Sequence, residues 1–154
     1  MATGVAVESL ERLAQEVFDV VRQLTLSAPR GRRRPGDLKE GEFLTLSMLG
    51  ERGTMIVGTI QRELGVLPAQ MSRIIRSLES REQALVTCRI NPLDKRKVDV
   101  SLTDAGARTL GEYRRHRVAR ILDILRDLDL DDRDHFGNVM DRVREIMRHK
   151  ALRN

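Results

Sequence analysis

Near the middle of the chain the hydrophobic period switches from helical spacing to strict alternation, and few small folds accommodate that switch where it falls. Between Thr59 and Ser80 the residues read as two helices. A short one ends at Leu64, Gly65 supplies a tight connection, and Pro68 opens a longer one. Gly65 suits the left-handed residue that ends a helix, and proline suits a first turn because its missing N–H would have had no intrahelical partner. From Val86 the pattern changes: Val86, Cys88 and Ile90 alternate with polar neighbours, as do Val98, Val100 and Leu102. The tip between them reads Asn91-Pro92-Leu93-Asp94-Lys95-Arg96. Two helices about a glycine turn, followed at once by a hairpin over 86–102, spell a helix-turn-helix with a β wing.

The flanks extend a mainly α architecture. Leu10, Leu13, Val17, Val20, Val21 and Leu24 form one face of an amphipathic helix. Residues 27–37 hold Pro29, Gly31, Pro35 and Gly36 among Arg30, Arg32, Arg33 and Arg34, and so read as a basic loop. A helix over Leu38–Leu49 is expected to stop at Gly53, and Met55-Ile56-Val57 reads as a small strand. Thr103 is a candidate cap for a helix reaching about Leu128. Asp129 caps a last helix from about Leu130 to Arg148, with Asp131, Asp132 and Asp134 at its positive end.

The expected division is an N-terminal helix and loop over 1–36, a winged helix-turn-helix over 37–103, and C-terminal helices over 104–154. A chain of 154 residues fits one ordinary domain, and 40% hydrophobic against 33% charged residues argues against disorder. The net charge of +5 makes the chain basic. One cysteine, Cys88, rules out an intrachain disulfide framework and suits a cytoplasmic setting. No apolar run approaches the roughly 20 residues a bilayer helix needs, and no basic n-region precedes an apolar stretch, so neither a membrane nor a secretory reading is supported.

Function is expected on the second helix and the wing. Met71, Ile74, Ile75 and Leu78 should face the core, leaving Ala69, Gln70, Ser72, Arg73 and Arg76 open. Gln70 has the groups to pair with an adenine edge; Arg73 and Arg76 reach guanine or phosphate; Ser72 binds phosphate or a base. After Asp94, the run Lys95, Arg96 and Lys97 places cations at the tip, where an extended side chain fits the negative potential of a minor groove. The simpler reading makes Arg73 and Arg76 a solvated face paired with Glu79, and the tip a soluble turn.

The stretch from Met55 to Gly106, with ELGVLPAQMSRIIRSLE and DKRKVDVSLTDAG, resembles the MarR family of winged-helix transcriptional regulators, whose helix order the flanks also follow. Asp94, Arg96, Leu102 and Thr103 match the family's wing string. The resemblance implies that Arg96 reaches the minor groove with Asp94 orienting it or the loop. It also implies an obligate homodimer, formed by the first helix and the last two, that reads palindromic double-stranded DNA. A repressor released by a small-molecule effector, of an identity the residues leave open, is implied in the same way. The chain departs from the pattern at Leu67, where a capping serine is usual, at Gln61, where a small residue is usual, and in LESREQALV, which lacks a glycine and carries about two extra residues.

Other chemistry has weak support. Cys88 lies on the inward face of its strand with no second cysteine to resolve a disulfide, which favours an inert thiol over a redox sensor. His116, His135 and His149 lack metal-ligand spacing, and the run from Asp129 lacks the glycine and terminal glutamate of a calcium loop. No nucleophile triad, phosphate loop or dinucleotide fingerprint occurs, so neither an enzyme nor a cofactor is expected. The competing function is a winged-helix adaptor or architectural protein that binds a protein, or DNA without sequence preference.

Overall fold

The computed structural model describes residues 2–26 and 37–153, with side chains described for 9–25 and 37–153. The arginines at 30–34 lie outside the described residues. The elements are α1 (Ala2–Leu26), α2 (Glu40–Arg52), β1 (Met55–Ile56), α3 (Val57–Leu64), α4 (Pro68–Glu79), β2 (Val86–Ile90), β3 (Val98–Leu102), α5 (Asp104–Asp127) and α6 (Leu130–Ala151). They fall in two units, α1 in one and everything from α2 onward in the other. In α1 the predicted apolar face is present, and Leu10, Leu13, Val17, Val20 and Val21 are exposed.

The second unit is built on a three-stranded antiparallel sheet in the order β1-β3-β2. Met55 and Cys88 both pair with Val100, one from each side, so β3 is the central strand and Val100 is wholly buried. The short expected strand therefore joins the wing's own sheet. It ends one residue early, because Val57 already belongs to α3. Helix α2 likewise runs past Leu49 to Arg52, where the Gly53 N–H still reaches the Leu49 carbonyl at 2.8 Å.

Leu46, Leu49, Ile60, Met71, Leu78, Val86 and Val100 fill the centre of this unit with almost no exposed surface. Each such side chain contributes about 1.5–3 kcal/mol through burial. The predicted inward face of α4 (Met71, Ile74, Ile75, Leu78) is buried throughout. Leu110 of α5 joins the same core, so the first turns of α5 pack with the winged helix and only its later part leaves it.

That junction explains the run Leu102-Thr103-Asp104-Ala105-Gly106. The Thr103 hydroxyl accepts from the Gly106 N–H at 3.0 Å as a helix cap and donates to the Ala84 carbonyl at 2.6 Å. The Thr103 N–H donates to the Leu85 carbonyl at 3.1 Å. A β-carbon on Gly106 would collide with that carbonyl oxygen, so only glycine lets α5 start against the strand entering the wing.

Beyond Leu110 no described residue is buried. None of the residues of α6 is buried, although Phe136, Val139, Met140, Val143 and Ile146 recur along it at helical spacing. Its start is fixed by Asp129, whose carboxylate accepts from the Asp132 N–H at 2.8 Å as predicted. Arg133 donates to the carbonyls of Leu125 at 2.8 Å and Arg126 at 2.6 Å, capping the end of α5 with a charge of the favourable sign.

Candidate nucleic-acid interface

Gly65 occupies the left-handed region at φ 63°, and its N–H reaches back to the Arg62 carbonyl at 3.2 Å, closing α3. The chain then runs extended through Leu67 into Pro68 at the head of α4. Leu67 provides no side-chain cap, as its departure from the family pattern predicts. What α4 lacks at its start it gains near its end. Glu42 of α2, only 2% exposed, accepts from the Ser77 hydroxyl at 2.6 Å, from the Lys39 N–H at 2.9 Å and from Arg81 at 3.0 Å. Arg81 also donates to the Asp37 carbonyl at 3.1 Å. Burial alone would discourage ionisation of Glu42. The Ser77 hydroxyl, the Lys39 N–H and the Arg81 guanidinium outweigh it and hold the carboxyl below its ordinary range. A buried charge thus joins the two helices.

With its inward face so held, α4 turns Ala69, Gln70, Ser72, Arg73 and Arg76 to solvent, all of them exposed. Among the described residues Arg73 and Arg76 make no ion pair, so the expected alternative pairing with Glu79 does not form. Glu79 instead accepts a hydrogen bond from the Cys88 thiol of β2. Burial first, and then that carboxylate, push the thiol up to about 12, so Cys88 is a protonated, half-buried group.

The wing tip is a stapled turn. The Asn91 side-chain oxygen accepts from the N–H groups of Leu93 at 2.9 Å and Asp94 at 3.0 Å, while its amide donates to both Asp99 oxygens. Asp94 Oδ1 accepts from the N–H of Arg96 at 3.1 Å and from its Nε at 3.3 Å, and Lys97 Nζ lies 3.3 Å from Oδ2. The Arg96 N–H first, with Lys97, keeps the Asp94 carboxyl below its usual range. Asp94 therefore holds both the loop and the base of the Arg96 side chain, whose surface is 92% exposed. Lys95 is exposed beside it.

Between α3, α4 and the wing lies a cleft of about 950 Å³, whose walls include Thr59 and Arg62 of α3, Ser72 and Arg76 of α4, and Arg96 and Lys97. Glu79 is the one acidic residue on this wall against four cations. Nothing in the local sequence pattern marks Arg62 as a residue of this cleft. Its place two residues after buried Ile60 marks it as outward-facing, but only the packing of α3 against α4 shows which cleft it borders.

An outward polar helix next to a rigid cationic wing, on a winged helix-turn-helix, defines a DNA-binding transcriptional regulator, a class without catalytic chemistry. Comparison with known proteins agrees. The MarR family profile matches residues 38–98. An HTH-type transcriptional regulator of Mycobacterium leprae is 30% identical over 135 residues, covering 88% of this chain and 90% of the relative. A mutant MarR from E. coli superposes with a TM-score of 0.66 at 24% identity, over 87% of this chain and 95% of that one. BpsR of Bordetella bronchiseptica, described with regulation of its DNA binding by 6-hydroxynicotinic acid, gives 0.58 at 18% identity, over 88% and 98%. The chain belongs to the MarR family.

Proposed function

We propose that this regulator is a ligand-responsive repressor that binds a pseudopalindromic operator in double-stranded DNA as a homodimer, in the cytoplasm. The observation that carries the reading is the division of α4. Its apolar residues are consumed by the core while Ala69, Gln70, Ser72, Arg73 and Arg76 remain open, next to the wing set of Asp94, Lys95, Arg96 and Lys97. Helix and wing then take the major groove and the adjacent minor groove, with the cationic cleft between them over the backbone.

Dimerisation through the helices flanking the winged helix is supported by the apolar stripe of α6 and by Val118, Ile121 and Leu122 on α5, all exposed in the protomer. Ligand response is supported by the BpsR relative and by one cluster at the meeting of α2 and α5. The ring centres of Phe43 and Tyr113 lie 4.8 Å apart with the planes tilted by 36°, and Arg117 donates to the Tyr113 hydroxyl at 2.8 Å while lying 5.3 Å from its ring centre. Such a group suits an aromatic anion, which must bind the DNA-incompetent conformation more tightly to act.

Competition binding of the full-length protein between a duplex it selects from a random pool and unselected duplex tests the assignment. The selected duplex should win by a factor of about 10³ or more. Arg73→Ala should cost about 1–3 kcal/mol and relax the preference at one position. Equal affinity for both duplexes would favour the architectural or adaptor alternative.

A further inference from the structure

The wing tip carries a side chain that cation-to-groove contacts leave without a task. Leu93 is 95% exposed, directly after Pro92 at the end of the hairpin. A single exposed leucine on a loose loop means little. This loop is not loose. The N–H of Leu93 itself donates to Asn91 Oδ1 at 2.9 Å, the Asp94 carbonyl accepts from the Lys97 N–H at 2.9 Å, and the Lys97 carbonyl accepts from the Asn91 N–H at 2.9 Å. The backbone beneath the isobutyl group is fixed from both sides, so the side chain is presented rather than left over.

Its surroundings select the partner. Lys95, Arg96 and Lys97 follow it on the same turn, and Arg96 is almost fully exposed three residues away. A hydrophobic protein groove would have to accommodate those cations at its rim. A duplex minor groove attracts them, and between the base edges on its floor lie the apolar faces of the stacked bases. We propose that Leu93 is a wedge that enters a base step beside the one reached by Arg96, partly unstacking it and bending the duplex toward the major groove. Leucine is among the side chains that act this way in minor-groove binders, and pyrimidine–purine steps such as TA open most readily, so the wedge would also select for such a step. The inference rests on the wing being a DNA contact, as proposed above.

The test uses the full-length protein and a duplex selected from a random pool, with 2-aminopurine substituted in turn at adenines under the wing. Wild type and Leu93→Met should raise the fluorescence at one step and bend the duplex in a permuted-fragment gel assay. Leu93→Ala, whose melting should be unchanged because the side chain is solvent-exposed, should abolish both signals and weaken binding about tenfold, with an unaltered salt dependence. Arg96→Ala should instead make the salt dependence shallower. If Arg96→Ala does so but Leu93→Ala keeps the fluorescence and the bend, the wedge is wrong and the wing contact stands. If neither variant changes binding, the wing is not on the duplex and both fail.

Discussion

At the scale of single residues, Cys88 shows how position decides chemistry. It sits on β2 half-buried, with its thiol hydrogen-bonded to Glu79 and its pKa pushed up to about 12. At pH 8 roughly one molecule in 10⁴ would carry the reactive thiolate. Alkylation by iodoacetamide at that pH should run at least about a hundredfold slower in the folded protein than in urea, and peroxide should leave DNA binding unchanged. Equal alkylation rates in the two states would refute the assignment. The inward orientation of Cys88 was legible from strand alternation, whereas its acceptor was not, because Glu79 belongs to a different element. Asp94 and Arg96 were legible together only through the resemblance of the wing string, and their contact is local. Arg62 was not, since its relation to the wing is set by tertiary packing.

At the scale of elements, the orientation of α4 depends on its far end. Leu67 leaves the N-terminus without a side-chain cap, and the Glu42–Ser77–Arg81 group compensates from α2. Nothing local announces this group. Glu42 reads as a first-turn acid, and its partner Ser77 lies 35 residues further on. Glu42→Gln should lower stability by about 1–3 kcal/mol at neutral pH, because it leaves Arg81 with a weaker acceptor. The sign of the pH dependence follows from the lowered pKa. The carboxylate stabilises the fold above its unfolded value near 4.5, and that contribution is lost as pH falls through the folded value. The stability gap between wild type and Glu42→Gln should therefore shrink as the pH is lowered below about 4.5. Urea melts showing a constant gap down to pH 3 would refute the ionised clamp. The helices, the turn at Gly65 and the hairpin were all legible in advance, because each is specified by period and by local caps. The joining of β1 to β3 was not, since a two-residue strand acquires its meaning only from its neighbour.

For the whole molecule, the main fact is an imbalance. The winged helix closes around its own core, while α6 and the later part of α5 carry apolar stripes that the described residues leave exposed. Sequence period revealed those stripes but not what covers them, because an amphipathic face carries no mark of its partner. No described helix is long and apolar enough to cross a membrane. Two copies joined through these helices would set two α4 helices about 34 Å apart, one turn of DNA, with a two-fold axis between them. The sequences the protein selects from a random duplex pool test this most directly. Two inverted half-sites whose centres lie about 10–10.5 base pairs apart are expected. A single unsymmetrical element, or no enriched sequence, would contradict this arrangement.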